Sequence, residues 1–148
     1  MQRLADTNLW LALTLSKHSF HSLARAWLES LRADEKVLFC RATQQSFLRL
    51  LTTKEVLALY GNPPLTNMEA WVTYREWLAA DRIGFANEPP GLEIHWKSFA
   101  SVASASPKLW MDSYLAAFAT AGGLQLATTD RTFRQFKGLD CLVLRTKI

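Results

Sequence analysis

Three aspartates in this 148-residue sequence are hard to explain as ordinary surface charge. Asp6 directly follows a short apolar stretch in LADTNLW, and Asp130 follows another in LQLATTD. Asp112 lies early in the apolar helical stretch LWMDSYLAAFA, with Leu115, Ala116 and Ala119 at the i+3, i+4 and i+7 positions of its own face. That face is the one a helix turns to a core, where a lone carboxylate is costly unless it is paired or holds a metal. Each has a local alternative: Asp6 and Asp130 as helix or turn caps, Asp112 as a first-turn acid favoured by the helix dipole. Gathered in one place, the three would repel one another and need a cation or a shared proton. All-oxygen ligands favour hard ions such as Mg2+ or Mn2+. The other ten acids, among them Glu29, Glu55, Glu88 and Asp140, read as solvated charges on polar faces and turns.

The elements that must position these residues alternate along the chain. Strands are expected at Arg3–Ala5, Lys36–Cys40, Ile83–Ala86, Leu124–Ala127 and Cys141–Leu144. Helices are expected at Asn8–Leu15, Phe20–Arg32 and Thr43–Thr52, then from Thr66 to about Ala80, with Thr66 and Glu69 forming a capping box. Two more follow: Gly91–Ala103, and a helix capped by Ser106, opened by Pro107 and stopped at Gly122-Gly123. Thr129–Gln135 reads as a turn or short helix. This order predicts an α/β domain with a mostly parallel sheet and helices on both faces. In a parallel sheet Asp6 and Asp130 fall at the carboxyl ends of strands, where open α/β folds place their sites.

Bulk properties bound the reading. The loop signals at Gly61–Pro64 and Asn87–Gly91 span only a few residues, so residues 1–148 form one expected domain. The 49% hydrophobic and 20% charged composition excludes the disordered class. A net charge of +4 permits a polyanionic partner without requiring one. The apolar run Leu9–Leu15 is too short to span a bilayer and lacks a cleavage pattern, so a cytoplasmic protein with no membrane association is expected. Cys40 and Cys141, with no CxxC, read as reduced core thiols.

Four stretches, in order, carry a family resemblance: LADTNLWLAL, TQQSFLRLLT, SPKLWMDSYLAAFA and LATTDRTFRQFKGL. The sequence resembles PIN-domain ribonucleases, most closely the VapC-type toxins of bacterial toxin–antitoxin pairs. The resemblance implies a single-domain α/β/α sandwich around a parallel sheet, and it maps the family's acids onto Asp6, Asp112 and Asp130. It also implies a homodimer and a cognate antitoxin whose C-terminal segment covers the acidic groove. Many members carry a further glutamate in the third helix. Ser46 stands there in this sequence, which takes one charge out of the cluster.

The implied chemistry is endonucleolytic hydrolysis of an RNA phosphodiester. It needs an activated water and relief of phosphate charge, both of which Mg2+ or Mn2+ supplies. Asp6 and Asp112 are the first choices as ligands, with Asp130 as a further ligand or an orienting group. Asn8, Ser46, Thr129 and Gln45 are candidate holders of bound water or substrate, and Thr7 and Thr128 also flank the acids. Arg49, Arg131 and Arg134, with Lys54 and Lys137, are candidate phosphate contacts. Trp10 and Trp110 lie near the acidic motifs, where base stacking competes with packing or a dimer contact; Trp27, Trp71 and Trp77 fit helix-packing positions. His18 and His21 read as surface residues of the loop after the first helix. The rival readings are a non-catalytic PIN-like domain that binds RNA or a partner, favoured by Ser46, and a housekeeping RNA-processing nuclease. An aspartate-nucleophile phosphatase would want an acid at position 8, where Asn8 stands, and a receiver domain would want an acidic pair near Asp6.

Overall fold

Short apolar runs with hydrophobic residues on both sides of the backbone become central strands, and the amphipathic stretches between them become covering helices. A computed structural model describes residues 1–145. In chain order the elements are β1 (Gln2–Ala5), α1 (Thr7–Thr14), α2 (His21–Ser30), β2 (Lys36–Phe39), α3 (Arg41–Leu51), α4 (Lys54–Ala58) and α5 (Asn67–Ala79). They continue with β3 (Ile83–Phe85), α6 (Leu92–Ala100), α7 (Leu109–Gly122), β4 (Gln125–Thr128), a 3-10 turn (Arg131–Gln135) and β5 (Cys141–Val143). The five strands form one sheet in the order β3-β2-β1-β4-β5, with every pairing parallel. The chain winds outward from β1 to β3, then returns to lay β4 on the other side of β1. The winding direction therefore reverses between β1 and β4, which is where this class of sheet opens a crevice at its carboxyl ends.

Alternation along the strands feeds two cores. Ala5, Val37, Phe39 and Ala127 pack with α1, α2, α3 and α5, whereas Leu4 and Leu126 on the opposite face pack with Leu92 of α6 and with α7. Helix α1 is buried at every position from Leu9 to Leu13, so it is held by packing all round and not by one apolar stripe. Trp10 stacks on Phe39 with ring centroids 3.7 Å apart and planes 6° from parallel. Trp10 is thus a core residue, and base stacking is not open to it. The expected capping box holds: Glu69 N–H donates to Thr66 Oγ1 at 3.1 Å and Thr66 N–H to Glu69 Oε1 at 3.0 Å. Gly123 ends α7 in the left-handed region at φ 64°, as a glycine stop should.

Several boundaries differ from the expectation. Helix α3 begins two residues early, at Arg41, because Cys40 N–H donates to Thr43 Oγ1 at 2.9 Å and fixes the entry to its first turn. Ser106 does not cap α7 and Pro107 does not open it. The Ser106 hydroxyl pairs with Ser104 Oγ, its carbonyl closes a turn onto Leu109 N–H, and the helix starts at Leu109. Helix α6 ends at Ala100, short of Ala103. The short helix α4 was not expected. No helix among the described residues is long and apolar enough to cross a membrane.

Candidate active site

Strand register brings Asp6 and the β4 end together. Ala5 pairs with Ala127, and Asp6 N–H donates to Ala127 O at 2.9 Å. Asp6 leaves β1 in an extended conformation at the N-cap position of α1, and its carbonyl accepts from Leu9 and Trp10 N–H. Its carboxylate does not cap the helix. Instead Thr128 Oγ1 donates to Asp6 Oδ2 at 2.8 Å. The same hydroxyl accepts Asp130 N–H at 3.0 Å, so its proton is directed at Asp6. Asp130 does act as a cap: Oδ1 accepts Thr132 N–H at 2.9 Å, which uses one of its two oxygens. The capping alternative is therefore real for Asp130 and unsupported for Asp6.

Electrostatics tie in the third acid. Burial pushes the Asp6 carboxyl up to about 6; the Thr128 hydroxyl and the Thr7 amide oppose the rise, and the charges of Asp112 and Asp130 add to it. Asp112, half-buried in the first turn of α7, is raised by burial and by the charge of Asp130. Carboxylates from distant parts of the sequence thus act on each other: the charges of Asp112 and Asp130 reach Asp6, and that of Asp130 reaches Asp112. Among the described residues, no three His, Cys, Asp or Glu side chains are closed to coordination distance. The donor set is all oxygen and carries excess negative charge on a largely buried anion, so by type it fits a hard divalent cation.

The remaining candidates scatter. Thr129 is buried between Thr128 and Asp130, Asn8 is exposed in the first turn of α1, and Ser46 is half-buried in α3. Arg131 and Arg134 are exposed on the 3-10 turn that Asp130 caps. Arg49 lies apart from Asp6 and Asp130. It lies in the last turn of α3, about 12 Å along the helix axis from Arg41 at 1.5 Å per residue, and lines a separate cleft with Thr52, Asn67 and Trp71. Of the histidines, His18 stacks on Tyr60 and its Nδ1 accepts Phe20 N–H, while His21 Nδ1 meets Ala12 O at 2.7 Å; both hold the α1–α2 loop in place. Trp110 is exposed, and Cys40 is buried. The half-buried Cys141 thiol is raised by burial and feels the charges of Arg134, Asp140, Asp6 and Asp130. Sequence reasoning gave Arg41 and Glu88 no role in the site, although they follow β2 and β3 by two and three residues.

Known proteins place the chain. A family model for the PIN domain matches residues 3–139. A protein named "Ribonuclease VapC41" from Mycobacterium tuberculosis is 55% identical over 142 residues, covering 95% of this chain and 97% of that protein. Among solved structures, VapBC2 from Rickettsia felis bound to a promoter DNA fragment matches with a TM-score of 0.68 at 12% identity, covering 98% of this chain and 100% of that one. The Mycobacterium tuberculosis VapC20, described as a sarcin-ricin loop cleaving toxin, matches with a TM-score of 0.64 at 15% identity, covering 93% and 97%. At these identities the structures establish the shared fold alone. Family model and curated relative agree over nearly the whole length, so the chain belongs to the PIN-domain family, in its VapC branch.

Proposed function

We propose that the protein is a divalent-metal-dependent endoribonuclease and the toxin of a toxin–antitoxin pair. The observation that supports this reading is that Asp6 sits where the sheet reverses its winding and feels the charges of both Asp112 and Asp130. The 55% identical relative named a ribonuclease supports the substrate class. Asp6 and Asp112 would hold the ion, Mg2+ or Mn2+, with Asp130 as a third ligand or as the acceptor that orients the attacking water. When bound, such an ion supplies a more acidic water and shields the phosphoryl oxygens. Thr128 fixes the orientation of the Asp6 carboxylate, because its hydroxyl donates to Oδ2. Asp130 is fixed in turn through its backbone bond to Thr128 and its cap onto Thr132. Arg131 and Arg134 face solvent beside it and would draw in the RNA backbone. Asn8, Ser46 and Thr129 are the polar groups offered for water or phosphate.

The structures named VapBC are toxin–antitoxin complexes, which supports a cognate antitoxin as partner; the homodimer stays a proposal beside it. The test is cleavage of RNA by the purified chain with Mn2+ or Mg2+. Loss with chelator and with Asp112→Asn, at unchanged folding, is expected. Ser46, standing where many members have a glutamate, favours the rival of a domain that binds RNA without cutting it. RNA binding with no cleavage by the intact chain would decide for the rival, and cleavage that survives Asp112→Asn would overturn the role given to Asp112. Growth arrest on expression, relieved by Asp6→Ala and by co-expression of a neighbouring small reading frame, separates a toxin from a housekeeping nuclease.

A further inference from the structure

The edge that carries Asp6 continues beyond it. Leu4 pairs with Leu38 and Phe39 with Phe85, so Cys40 and Ala86 leave β2 and β3 at the level of Asp6, and Arg41 and Asn87-Glu88 follow them within two residues. Neighbouring strands lie about 4.8 Å apart, which sets these residues roughly one and two strand widths along the edge. A cleft of about 410 Å³ opens there, lined by Arg41, Gln45, Asn87, Glu88, Tyr114 and Phe118 among others. Tyr114 lies two residues after Asp112 in α7, so the cleft and the carboxylates share a helix.

The cleft is built and not merely open. Arg41 stands in the first turn of α3, against the positive end of the helix dipole, where a cation gains nothing for the helix. It is nevertheless held in place: its guanidinium carbon sits 4.9 Å over the Phe85 ring and Nη1 donates to Oε1 of the buried Gln44. A guanidinium has five N–H donors, and this contact occupies only one nitrogen. Glu88 precedes Pro89, which restricts its backbone to extended conformations. Its Oε1 accepts the Tyr114 hydroxyl at 2.8 Å, and burial together with that bond keeps the phenol protonated. Arg41 and Glu88 line one cleft, yet among the described residues they form no ion pair with each other. A cation and an anion each held by other groups suit a ligand that presents an anion and hydrogen-bond donors together.

We propose that this cleft holds the nucleotide beside the scissile phosphate, with Arg41 on a backbone phosphate and Glu88 reading guanine. Guanine is the base whose Watson–Crick edge offers two adjacent donors, N1–H and the N2 amine, to one carboxylate. A carboxylate beside the strand would otherwise repel RNA, so Glu88 belongs to base choice and Arg41 to affinity. This inference rests on the ribonuclease reading and adds a place for specificity to it.

The test uses the full chain. Cleavage ends are mapped on a random-sequence RNA pool with the wild type and with Glu88→Gln, which keeps the shape and the bond to Tyr114. Loss of a guanine preference at one position next to the cut, with cleavage at the other bases gained as the repelling charge is removed, is expected. Binding of a labelled single-stranded RNA is measured by anisotropy in an Asp112→Asn background. There Arg41→Ala should weaken binding about tenfold and lower the log–log salt slope by about one, with Arg41→Lys restoring the slope. If Asp112-dependent cleavage persists but base preference survives Glu88→Gln, or the salt slope survives Arg41→Ala, the cleft assignment is wrong and the ribonuclease reading stands. If the wild type neither cuts nor binds RNA, both fall.

Discussion

The hydroxyl of Thr128 spans 122 residues of sequence to donate to Asp6 Oδ2, and in doing so it joins the two strands between which the sheet reverses direction. Because the same oxygen accepts Asp130 N–H, one threonine sets the orientation of one acid and the backbone of another. The second contact is local, between residues two apart, as threonine hydroxyls make in turns. The first follows from parallel register that places Ala5 beside Ala127 and so sets the following residues level.

Thr128→Val keeps the approximate shape and removes the hydroxyl. A buried carboxylate then loses its only side-chain donor among the described residues, and Asp130 N–H loses its acceptor. Leaving such groups unpaired costs about 1–3 kcal/mol. A lower urea midpoint at unchanged slope, together with a drop in RNA cleavage, is the expected result, and Thr128→Ser should recover both. A Val variant as active and stable as the wild type would mean that Asp6 is positioned by something else.

Asp6 also makes stability depend on pH in a direction opposite to most carboxylates. Its folded-state pKa is raised from 3.8 to about 6, mainly by burial. Below pH 3.8 both folded and unfolded chains hold the proton. Between 3.8 and about 6 the unfolded chain has released it and the folded one has not, so stability falls as pH rises through this window. At about 1.4 kcal/mol for each pH unit, the cost above pH 6 is about 3 kcal/mol. Asp6→Asn should therefore stabilise chelator-treated protein at pH 7 and flatten its dependence on pH between 4 and 6. Adding Mn2+ should raise the melting temperature of the wild type and not of the variant. Equal melting temperatures for the two chelated proteins would contradict the burial of this charge.

Much of this arrangement was legible beforehand. The acids at positions 6 and 130 stand out because each ends an apolar run, and Asp112 because its helical neighbours Leu115, Ala116 and Ala119 are all core residues. The five strands and their parallel order follow from alternation with helices. What was not legible depends on contacts between elements. The five residues of α4 are too few to show a helical period. Helix α7 starts where a Ser106–Leu109 turn closes, which favourable capping types at Ser106 and Pro107 do not reveal. Arg49 was a candidate as a basic residue of the third helix but sits at the far end of α3, whereas Arg41 is at the end that follows β2. Glu88 looks like a solvated loop acid until its place in the cleft with Arg41 and Tyr114 is seen.

The two tryptophans near the acidic motifs behave oppositely. Trp10 is fully buried, stacked on Phe39 and edge-on to Trp77 at 5.8 Å, while Trp110 is 61% exposed. Trp10→Ala opens a cavity behind the helix that Asp6 leads into and should cost about 3–5 kcal/mol. Trp110→Ala should stay within about 0.5 kcal/mol, as surface changes usually do. Denaturant curves for the two variants check both values. Because α1 carries the residue after Asp6, the Trp10 variant should lose RNA cleavage in proportion to its unfolding.

Salt dependence separates the arginines. A phosphate contact releases about one condensed counterion, so removing it lowers the log–log slope of RNA binding by about one. Arg131 and Arg134 follow Asp130 on an exposed 3-10 turn, next to the carboxylates. Arg49 lies at the opposite end of α3, in a cleft shared with Asn67 and Trp71. Arg131→Ala and Arg134→Ala should each lower the slope for short single-stranded RNA, and Arg49→Ala should leave it unchanged. Base preference should survive in all three, since backbone contacts carry no sequence information. A slope lost with Arg49 and kept without Arg131 and Arg134 would mean that RNA crosses the helical face instead of the carboxyl edge of the sheet, and would move the substrate path away from Asp6, Asp112 and Asp130.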